Sequence, residues 1–207
     1  MRVDVDPDVV SRREFYALLN SVVVPRPIAW VSSQSADGVL NLAPHSFFTV
    51  ACVQPPMVQF TSVGRKDSLN NVEATGEFVV NFAAEPLYEQ VNASATNFPP
   101  EISEFEAIGV HPEPSRTIAV PRVAESPVAI ECTLHTTLEL GDSTVVIGRV
   151  RHLALDPSVM DGDHPEIQLL RPLARLGKDE WSTIGEVRSI TRIRHSNWPD
   201  HFTPPAP

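Results

Sequence analysis

The stretch that decides the fold is Val22–Asn81, which reads VVVPRPIAWVSSQSADGVLNLAPHSFFTVACVQPPMVQFTSVGRKDSLNNVEATGEFVVN. It consists of short apolar runs rich in Val, Ile, Phe, Trp and Thr, and turn residues separate them at Pro25-Arg26-Pro27, Asp37-Gly38, Pro55-Pro56 and Gly64. Runs of strand length between closely spaced turn residues are typical of an antiparallel barrel or sandwich. The stretch therefore predicts a mainly β fold.

Local patterns predict the individual elements. Ser11 and Glu14 form a capping box, so a short helix is expected from about Arg12 to Asn20. A second short helix is expected over Asp67–Thr75, closed by Gly76, and Pro86 opens a third. Alternating apolar runs predict strands at Ile28–Ser32, Val39–Ala43, Phe47–Val53, Met57–Thr61, Glu77–Phe82, Val128–Leu140, Thr144–Leu155 and Leu169–Leu176. Residues 97–127 are rich in proline yet apolar, and we interpret them as an ordered excursion lying over the barrel.

Length and composition narrow the class of protein. The chain has 207 residues, 20 prolines and a net charge of −10. One domain over residues 1–194 is expected, followed by a proline-rich tail at 195–207. The acidic balance argues against nucleic acid, which needs a basic surface. No apolar run reaches the roughly 18 residues needed to span a membrane, and the acidic N-terminus lacks an export signal, so a cytoplasmic protein is expected.

The segment Gly64-Arg65-Lys66-Asp67-Ser68 is the sharpest local signal for a ligand. Two cations and two small oxygen side chains come where the second predicted helix begins. A helix N-terminus leaves backbone N–H groups without partners and carries partial positive charge, so anions bind there readily. The segment predicts a phosphate site in which Arg65, Lys66 and Ser68 are donors. The alternative is an ordinary solvated turn with Asp67 as the helix cap, and the local pattern does not separate the two.

A second candidate segment runs from Asn41 to Thr49 and reads NLAPHSFFT. A strand broken by Pro44 and followed by Ser46 and Thr49 offers N–H groups and hydroxyls beside aromatic surface. A flat heteroaromatic ring needs that mixture of apolar walls and a few placed polar groups. By itself, however, the pattern favours a strand edge with two phenylalanines in the core.

Other chemistries have little support in the sequence. The seven histidines lack metal-ligand spacing, and the two cysteines form no CxxC pair. We interpret Cys52 and Cys132 as buried free thiols, and the alternative is a disulfide between them. No GxSxG, GxGxxG or GxxxxGK[ST] motif occurs, which leaves hydrolase, Rossmann and Walker-loop sites unsupported. Glu101, Glu104 and Glu106 could form a carboxylate pair for acid–base work, but a solvated acidic face is the simpler interpretation.

Taken together, the segments resemble the flavin reductase-like family, whose fold is the FMN-binding split barrel. The resemblance covers Phe15 to Trp181, and the matching words keep their family order: PRPIAWVSS, DGVLNLAPHSFF, PPMVQF, GRKDSLNNVEATGEFVVN, NFPPEISEF, SPVAIEC and RPLARLG. It implies a six-stranded antiparallel Greek-key split barrel with a few short peripheral helices. It also implies a homodimer, with FMN held partly at the subunit interface.

The resemblance also implies which residues contact the flavin. In the family, the segment matching Arg65, Lys66, Asp67 and Ser68 holds the flavin phosphate, and the segment matching Ser46, Phe47, Phe48 and Thr49 runs beside the isoalloxazine. Further pocket residues are expected at Ser62, Trp30, Ser32 and Arg175, with plain core packing as the alternative for Trp30. Some relatives place nicotinamide with a histidine in the strand after the final hairpin, and His152 lies nearby.

The cofactor accounts for the missing catalytic motif. Flavin accepts hydride at N5, so the protein needs neither a nucleophile nor a general base of its own, and no metal is expected. The main hypothesis is an NADH- or NADPH-dependent flavin reductase that uses FMN and supplies reduced flavin to a monooxygenase. The runner-up is a non-enzymatic FMN electron carrier resembling flavoredoxin. A third interpretation is a flavin protein that acts directly on an organic substrate.

Overall fold

The computed structural model describes residues 1–198, and its helices are short and peripheral. In chain order they are α1 (Arg12–Val22), α2 (Asp67–Thr75), α3 (Tyr88–Ala93), α4 (Glu104–Ile108) and α5 (Ile167–Leu170), with 3-10 turns at Glu85–Leu87, Pro157–Val159 and His195–Asn197. The predicted capping box is present at α1, because Ser11 and Glu14 exchange side-chain to backbone hydrogen bonds. Gly76 ends α2 in the left-handed conformation, at φ 75°, where glycine pays no steric cost. The first two predicted helices are confirmed, and the third begins as expected around Pro86.

Strands dominate the fold, as predicted. In chain order they are β1 (Arg26–Pro27), β2 (Ala29–Gln34), β3 (Leu40–His45), β4 (Phe48–Cys52), β5 (Met57–Val63), β6 (Glu77–Phe82), β7 (Pro112–Glu113), β8 (Arg122–Val123), β9 (Val128–Leu140), β10 (Ser143–Leu155), β11 (Met160–Asp161), β12 (His164–Pro165), β13 (Ala174–Arg175) and β14 (Trp181–Ser182). Seven of them form one antiparallel sheet in the order β3-β2-β6-β9-β10-β5-β4. Three small sheets of two or three short strands complete the described residues.

Both faces of the large sheet are covered, as strand β2 shows. Ala29 and Val31 point into a cluster with β5, β6, β9, β10 and α2, whereas Trp30 joins Leu42 and Phe105 in a second cluster on the other face. Successive residues of a strand point to opposite faces, so a strand packed on both sides is apolar without alternation. This explains why β2 is buried from Ala29 to Ser33.

The second face is covered by the excursion over residues 97–127. It contains α4, β7 and β8, and Val123 at its end is buried against the sheet. Hydrogen bonds, as well as packing, hold the excursion against the large sheet. Ser32 donates from Oγ to the carbonyl of Pro121 over 2.7 Å, and Asn81 Oδ1 accepts the N–H of Val123 over 2.8 Å. The interpretation of this segment as an ordered excursion over the sheet is confirmed.

The long hairpin β9–β10 turns at Gly141-Asp142, in the gap between the predicted strands Val128–Leu140 and Thr144–Leu155. Gly148 in β10 lies directly beneath the Phe78 ring, and a Cβ atom there would come within 2.2 Å of that ring. A residue without a side chain is therefore required at this crossing. The thiol of Cys132 on β9 is free and buried, and burial raises its pKa to about 12.

Two predictions need correction. The large sheet has seven strands rather than the six that the family resemblance implies. The predicted strand at Leu169–Leu176 is wrong, because α5 occupies Ile167–Leu170 and only Ala174–Arg175 pairs as a strand. A short apolar run suits a buried helix turn as well as a strand, so periodicity alone could not decide this case.

The C-terminal part has little regular structure. Between Ser182 and Arg194 the chain forms no helix or strand, and a 3-10 turn follows at His195–Asn197. Most of the predicted tail, residues 199–207, lies outside the described residues, so the domain boundary at residue 194 stays a prediction. In residues 1–198 we find no helix that combines the length and the apolar character needed to cross a membrane.

Candidate functional site

A cavity of about 420 Å³ opens beside the N-terminus of α2. Its volume falls in the range of small-molecule sites, which is roughly 300–1,000 Å³. It lies between the end of β3, the turn that leads into α2, the loop after α3, and one residue each from α1 and α4. Its lining consists of Tyr16, Asn41, residues 43–47, Thr61, Val63, residues 65–68, residues 94–98 and Glu104.

The start of α2 is an uncapped helix N-terminus on the cavity wall. The N-cap residue is Lys66, whose backbone is extended, and within residues 1–198 no side chain caps the first turn. Asp67, which the alternative interpretation makes the cap, is instead the first residue of the helix. The N–H groups of the first turn are therefore available to a ligand, while the Asp67 carboxylate offsets part of the positive charge of the helix end.

The two cationic side chains before α2 differ in whether they form a salt bridge. Arg65 forms an ion pair with Glu73 on the exposed side of α2. Lys66 takes part in no salt bridge of residues 1–198, although it borders the cavity. An anion in the cavity would therefore meet one uncompensated ammonium group and one guanidinium group that already has a partner.

A buried polar network lies under this helix end. Asn41 on β3 donates from Nδ2 to the hydroxyls of Ser68 and Ser33, each over 3.1 Å. Asn71 on α2 also donates to Ser33, over 3.3 Å. The network fastens α2 to strands β2 and β3, so the position of the helix end relative to the sheet is fixed by polar as well as apolar contacts.

His45, the last residue of β3, is buried in the cavity wall. Its ring lies 4.6 Å from the Phe60 ring, centroid to centroid. Nε2 has no hydrogen-bond partner in residues 1–198. Burial lowers the pKa of His45 to about 4, and the charge of Lys66 acts in the same direction, whereas the Thr61 backbone opposes it. The imidazole is therefore neutral at pH 7, with one nitrogen unpaired.

Glu104 on α4 places a carboxylate in the same cavity. Its residue is only 6% exposed, and one carboxylate oxygen accepts the backbone N–H of Leu42 over 3.0 Å. Burial raises the pKa of Glu104, the bond from Leu42 opposes this, and the charge of Asp67 adds to it. The interpretation of the three glutamates as a solvated face holds for Glu101 and Glu106, which are exposed, but is wrong for Glu104.

Arg26 attaches α1 to the site. Its buried guanidinium donates to the carbonyls of Asn20, Val23 and Leu176, and its Nε donates to the Ser46 hydroxyl over 3.4 Å. The C-terminal end of α1 is thereby fixed against the barrel, and the helix carries Tyr16 to the rim of the cavity.

The sequence profile of a family described as "Flavin reductase like domain" matches residues 21–170. The chain belongs to this family. A relative at 38% identity is an uncharacterised protein of Halalkalibacterium halodurans, and the alignment covers 90% of this chain and 95% of that protein. The recognition made from the ordered sequence words is confirmed.

Solved structures agree with the family assignment. Nitrilotriacetate monooxygenase component B from Bacillus cereus superimposes with a TM-score of 0.89 at 30% identity, over 92% of this chain and 99% of that one. The Pseudomonas fluorescens 2-nitrobenzoate 2-nitroreductase superimposes with a TM-score of 0.87 at 28% identity, over 93% and 98%. The mainly β split-barrel class predicted from the sequence is confirmed by a third structure, a protein with a split barrel domain from Shewanella frigidimarina, which superimposes with a TM-score of 0.82 at 22% identity over 90% of this chain and 96% of that one.

The family resemblance implies a set of flavin contacts, and half of these residues line the same cavity. They are the cavity-lining residues Ser46, Phe47, Arg65, Lys66, Asp67 and Ser68. The two segments come together because β5 carries the chain from the sheet to the turn before α2, and because α2 and β5 both contact β3. Whether these residues hold flavin stays a prediction.

Three residues expected in the pocket make their contacts outside it. Trp30 is fully buried in the core, which agrees with the alternative interpretation given above. Its indole N–H donates over 2.8 Å to Ser94, which lines the cavity. Ser32 is fully buried and bonded to the excursion. Arg175 lies over the Trp181 ring at 4.7 Å and donates to the carbonyl of Lys178.

The remaining three expected residues lie beside the cavity without lining it. Phe48 packs against the core cluster of β5 and β6, and Thr49 is exposed on β4. Ser62 is fully buried and donates to the carbonyl of Gly64 over 2.8 Å, so it shapes the turn that leads into α2.

Several lining residues were not singled out from the sequence. They are Tyr16, Thr61, Val63 and residues 94–97. Phe98 also lines the cavity, whereas Phe105 in the same excursion is buried in the core. In the sequence Glu104 is only one member of an acidic cluster, and its burial goes with a tertiary contact, the hydrogen bond that its carboxylate accepts from the backbone N–H of Leu42.

Proposed function

We propose that this chain is an FMN-dependent NAD(P)H:flavin reductase that supplies reduced flavin to a partner monooxygenase. The observation that carries the proposal is the N-terminus of α2, which has no side-chain cap and carries a lysine that forms no salt bridge within residues 1–198, on the wall of a cavity large enough for a small molecule. Support for the partner comes from the Bacillus cereus neighbour, whose name describes a component of a monooxygenase.

The residues present fit FMN better than a flavin with a larger tail. The phosphate would be held by Lys66, by the Ser68 hydroxyl and by the N–H groups of the first turn of α2. Arg65 would join them by turning from Glu73. There is one compact cationic turn for one phosphate, and the rest of the lining contains the carboxylate of Glu104 rather than a second cluster of cations.

The ring of the flavin would lie along the opposite wall, at residues 44–47. This wall combines the apolar surface of Pro44 and Phe47 with the Ser46 hydroxyl and the neutral His45 ring. Bound flavin supplies the redox chemistry, because its N5 accepts hydride from a nicotinamide. The chain supplies the position of the ring, and Arg26 holds the Ser46 hydroxyl that faces it.

The nicotinamide would approach from the side bordered by Tyr16 and Phe98. Both side chains line the cavity and come from elements outside the large sheet, namely α1 and the loop after α3. Hydride transfer requires the two rings to lie within about 3–3.5 Å of each other. An aromatic residue at the rim can stack on a planar ring without blocking the face that reacts.

Anaerobic mixing of the FMN-loaded protein with NADH or NADPH is expected to bleach the flavin absorbance near its visible maximum. Stopped-flow spectroscopy measures the rate, and turnover should continue with added free FMN. Phe98→Ala is expected to slow reduction at least about tenfold. The control Ile102→Ala lies in the same excursion but outside the main cavity, and it should leave the rate unchanged.

If neither nucleotide reduces the bound flavin, the proposal fails and an electron carrier becomes the better description. A second candidate has a specific observation behind it, because the Pseudomonas fluorescens neighbour at 28% identity is named a nitroreductase. In that case bound flavin would pass electrons directly to an organic substrate. Oxidation of the reduced protein by a nitroaromatic compound faster than by free FMN would favour this candidate.

We also propose that the chain forms a symmetric homodimer. Its support is a group of large apolar side chains exposed at the end of α1 and on and after β4. Val22 is 73% exposed at the end of α1, and Val53 is 84% exposed after β4, with Leu19, Val23 and Val50 also exposed. Association would cover such apolar side chains, and β4 is an edge strand that a second subunit can cover.

Light scattering at micromolar concentration is expected to give a mass of twice 22.8 kDa. Val22→Asp combined with Val53→Asp should shift the mass toward the monomer, because two charges would have to be buried in the interface. Leu138→Asp, at an exposed apolar position on β9 that does not line the cavity, serves as the matched control. A wild-type monomer that still binds FMN would contradict the dimer proposal.

A further inference from the structure

Asn41 occupies a position from which it can control one hydroxyl of the cavity. It lies on β3, is 7% exposed, and lines the cavity next to the start of α2. Its side-chain Nδ2 is 3.1 Å from the hydroxyl of Ser68, the second residue of α2, which is 1% exposed. The contact therefore joins a strand to the helix end at which the proposed function places a phosphate.

The number of hydrogens on the Asn41 amide determines which group donates in this hydrogen bond. A side-chain amide nitrogen has two hydrogens, and here they go to two hydroxyls, those of Ser68 and Ser33. Ser68 accepts one of them, so its own hydrogen is not used by Asn41. No acceptor for that hydrogen is found among residues 1–198.

A hydroxyl without this constraint would behave differently. A serine near a helix N-terminus can turn its hydrogen toward nearby carbonyls or amide oxygens, and it then presents a lone pair to the ligand. A lone pair repels a phosphate oxygen, whereas an O–H donor forms a charge-assisted hydrogen bond with it. The orientation of one hydrogen therefore decides whether Ser68 favours or disfavours an anion.

We propose that Asn41 is a positioning residue that turns the Ser68 hydroxyl hydrogen toward the phosphate of the bound flavin, so that it selects phosphorylated flavin over riboflavin. This inference rests on the proposed function. Asn41 acts through Ser68 and the remote end of the flavin, and it takes no part in the transfer of hydride.

The test compares equilibrium affinities for FMN and riboflavin in the whole protein, measured by quenching of flavin fluorescence. Ser68→Ala and Asn41→Ala are each expected to weaken FMN binding about tenfold while changing riboflavin binding less than about twofold. The double variant should be no weaker than either single variant, because both changes remove the same hydrogen bond to the phosphate.

Ser33→Ala is the matched control, because it removes the other acceptor of the Asn41 amide but does not line the cavity. It should leave the ratio of FMN to riboflavin affinity unchanged. If Asn41→Ala does not fold, Asn41→Asp keeps the shape of the side chain and offers Ser68 an acceptor instead of a donor. Its loss of FMN affinity should not increase further when Ser68→Ala is added.

Two different failures can be told apart. If Asn41→Ala weakens FMN and riboflavin equally, or if its effect adds to that of Ser68→Ala, the positioning role is overturned while the proposed function stands. If Ser68→Ala and Lys66→Ala themselves do not separate FMN from riboflavin, the phosphate site of the proposed function fails, and this inference fails with it.

Discussion

Replacing Lys66 with alanine is expected to weaken FMN binding by about ten- to a hundredfold, with the protein still folded. A charge-assisted contact with phosphate contributes roughly 1.5–3 kcal/mol, which corresponds to that range in affinity. Lys66 should give the upper part of the range, because its ammonium has no salt-bridge partner in the described part of the chain. Calorimetric titration with FMN measures the change.

Arg65→Ala is expected to weaken binding less, since its guanidinium already pairs with Glu73 and has to leave or share that partner to reach a phosphate. Arg149→Ala is the control for net charge, because Arg149 is exposed on β10 and does not line the cavity. Riboflavin should lose less affinity than FMN in both variants. Unchanged FMN affinity in Lys66→Ala and Arg65→Ala would refute the phosphate assignment.

The parts of the fold that the sequence predicts are those encoded by local chemistry. The bounds of α2 follow from Gly76, because a left-handed residue at the helix end strongly favours glycine. The start of α1 follows from the capping box at Ser11, and the β9–β10 hairpin follows from its turn residues. The sequence patterns alone predict all seven strands of the large sheet. The expected number of six strands came from the family resemblance.

The parts that the sequence does not predict depend on tertiary contacts. Nothing local distinguishes a tryptophan facing a ligand from one facing the core, and Trp30 is in the core because the excursion packs over that face of β2. Arg175 likewise has a partner, Trp181, that only the pairing of β13 with β14 brings near. Glu104 is also held in the cavity wall by a tertiary contact, the hydrogen bond that its carboxylate accepts from the backbone N–H of Leu42.

The excursion itself depends on a buried carboxylate on the neighbouring strand β9. Glu131 is fully buried, and it accepts hydrogen bonds from the N–H groups of Arg116 and Thr117, over 2.8 and 2.7 Å, and from the Thr117 hydroxyl over 2.6 Å. Burial alone would raise the pKa of Glu131, but these bonds outweigh it and hold the pKa below its ordinary value. The folded state therefore binds this proton less readily than the unfolded chain does.

Glu131→Gln is expected to lower the free energy of unfolding at pH 7 by about 2 kcal/mol, because one amide group cannot accept all the bonds that the carboxylate accepts. A carboxylate with a depressed pKa stabilises the fold above its unfolded pKa of about 4.3, and this contribution disappears as the pH falls through the folded pKa. The difference between wild type and Glu131→Gln should therefore be constant from pH 7 to about 5 and shrink below about pH 4.

Urea denaturation at a series of pH values measures this difference. Glu113→Gln is the matched control, because Glu113 and Glu131 both pair with Arg122 of the excursion. Glu113 is half exposed, and exposed pairs contribute only about 0–1 kcal/mol. Equal stability of wild type and Glu131→Gln at pH 7, or a difference that grows toward low pH, would show that the Glu131 carboxylate does not hold the excursion on the sheet. The pH dependence separates the charge from the lost packing, since packing does not titrate.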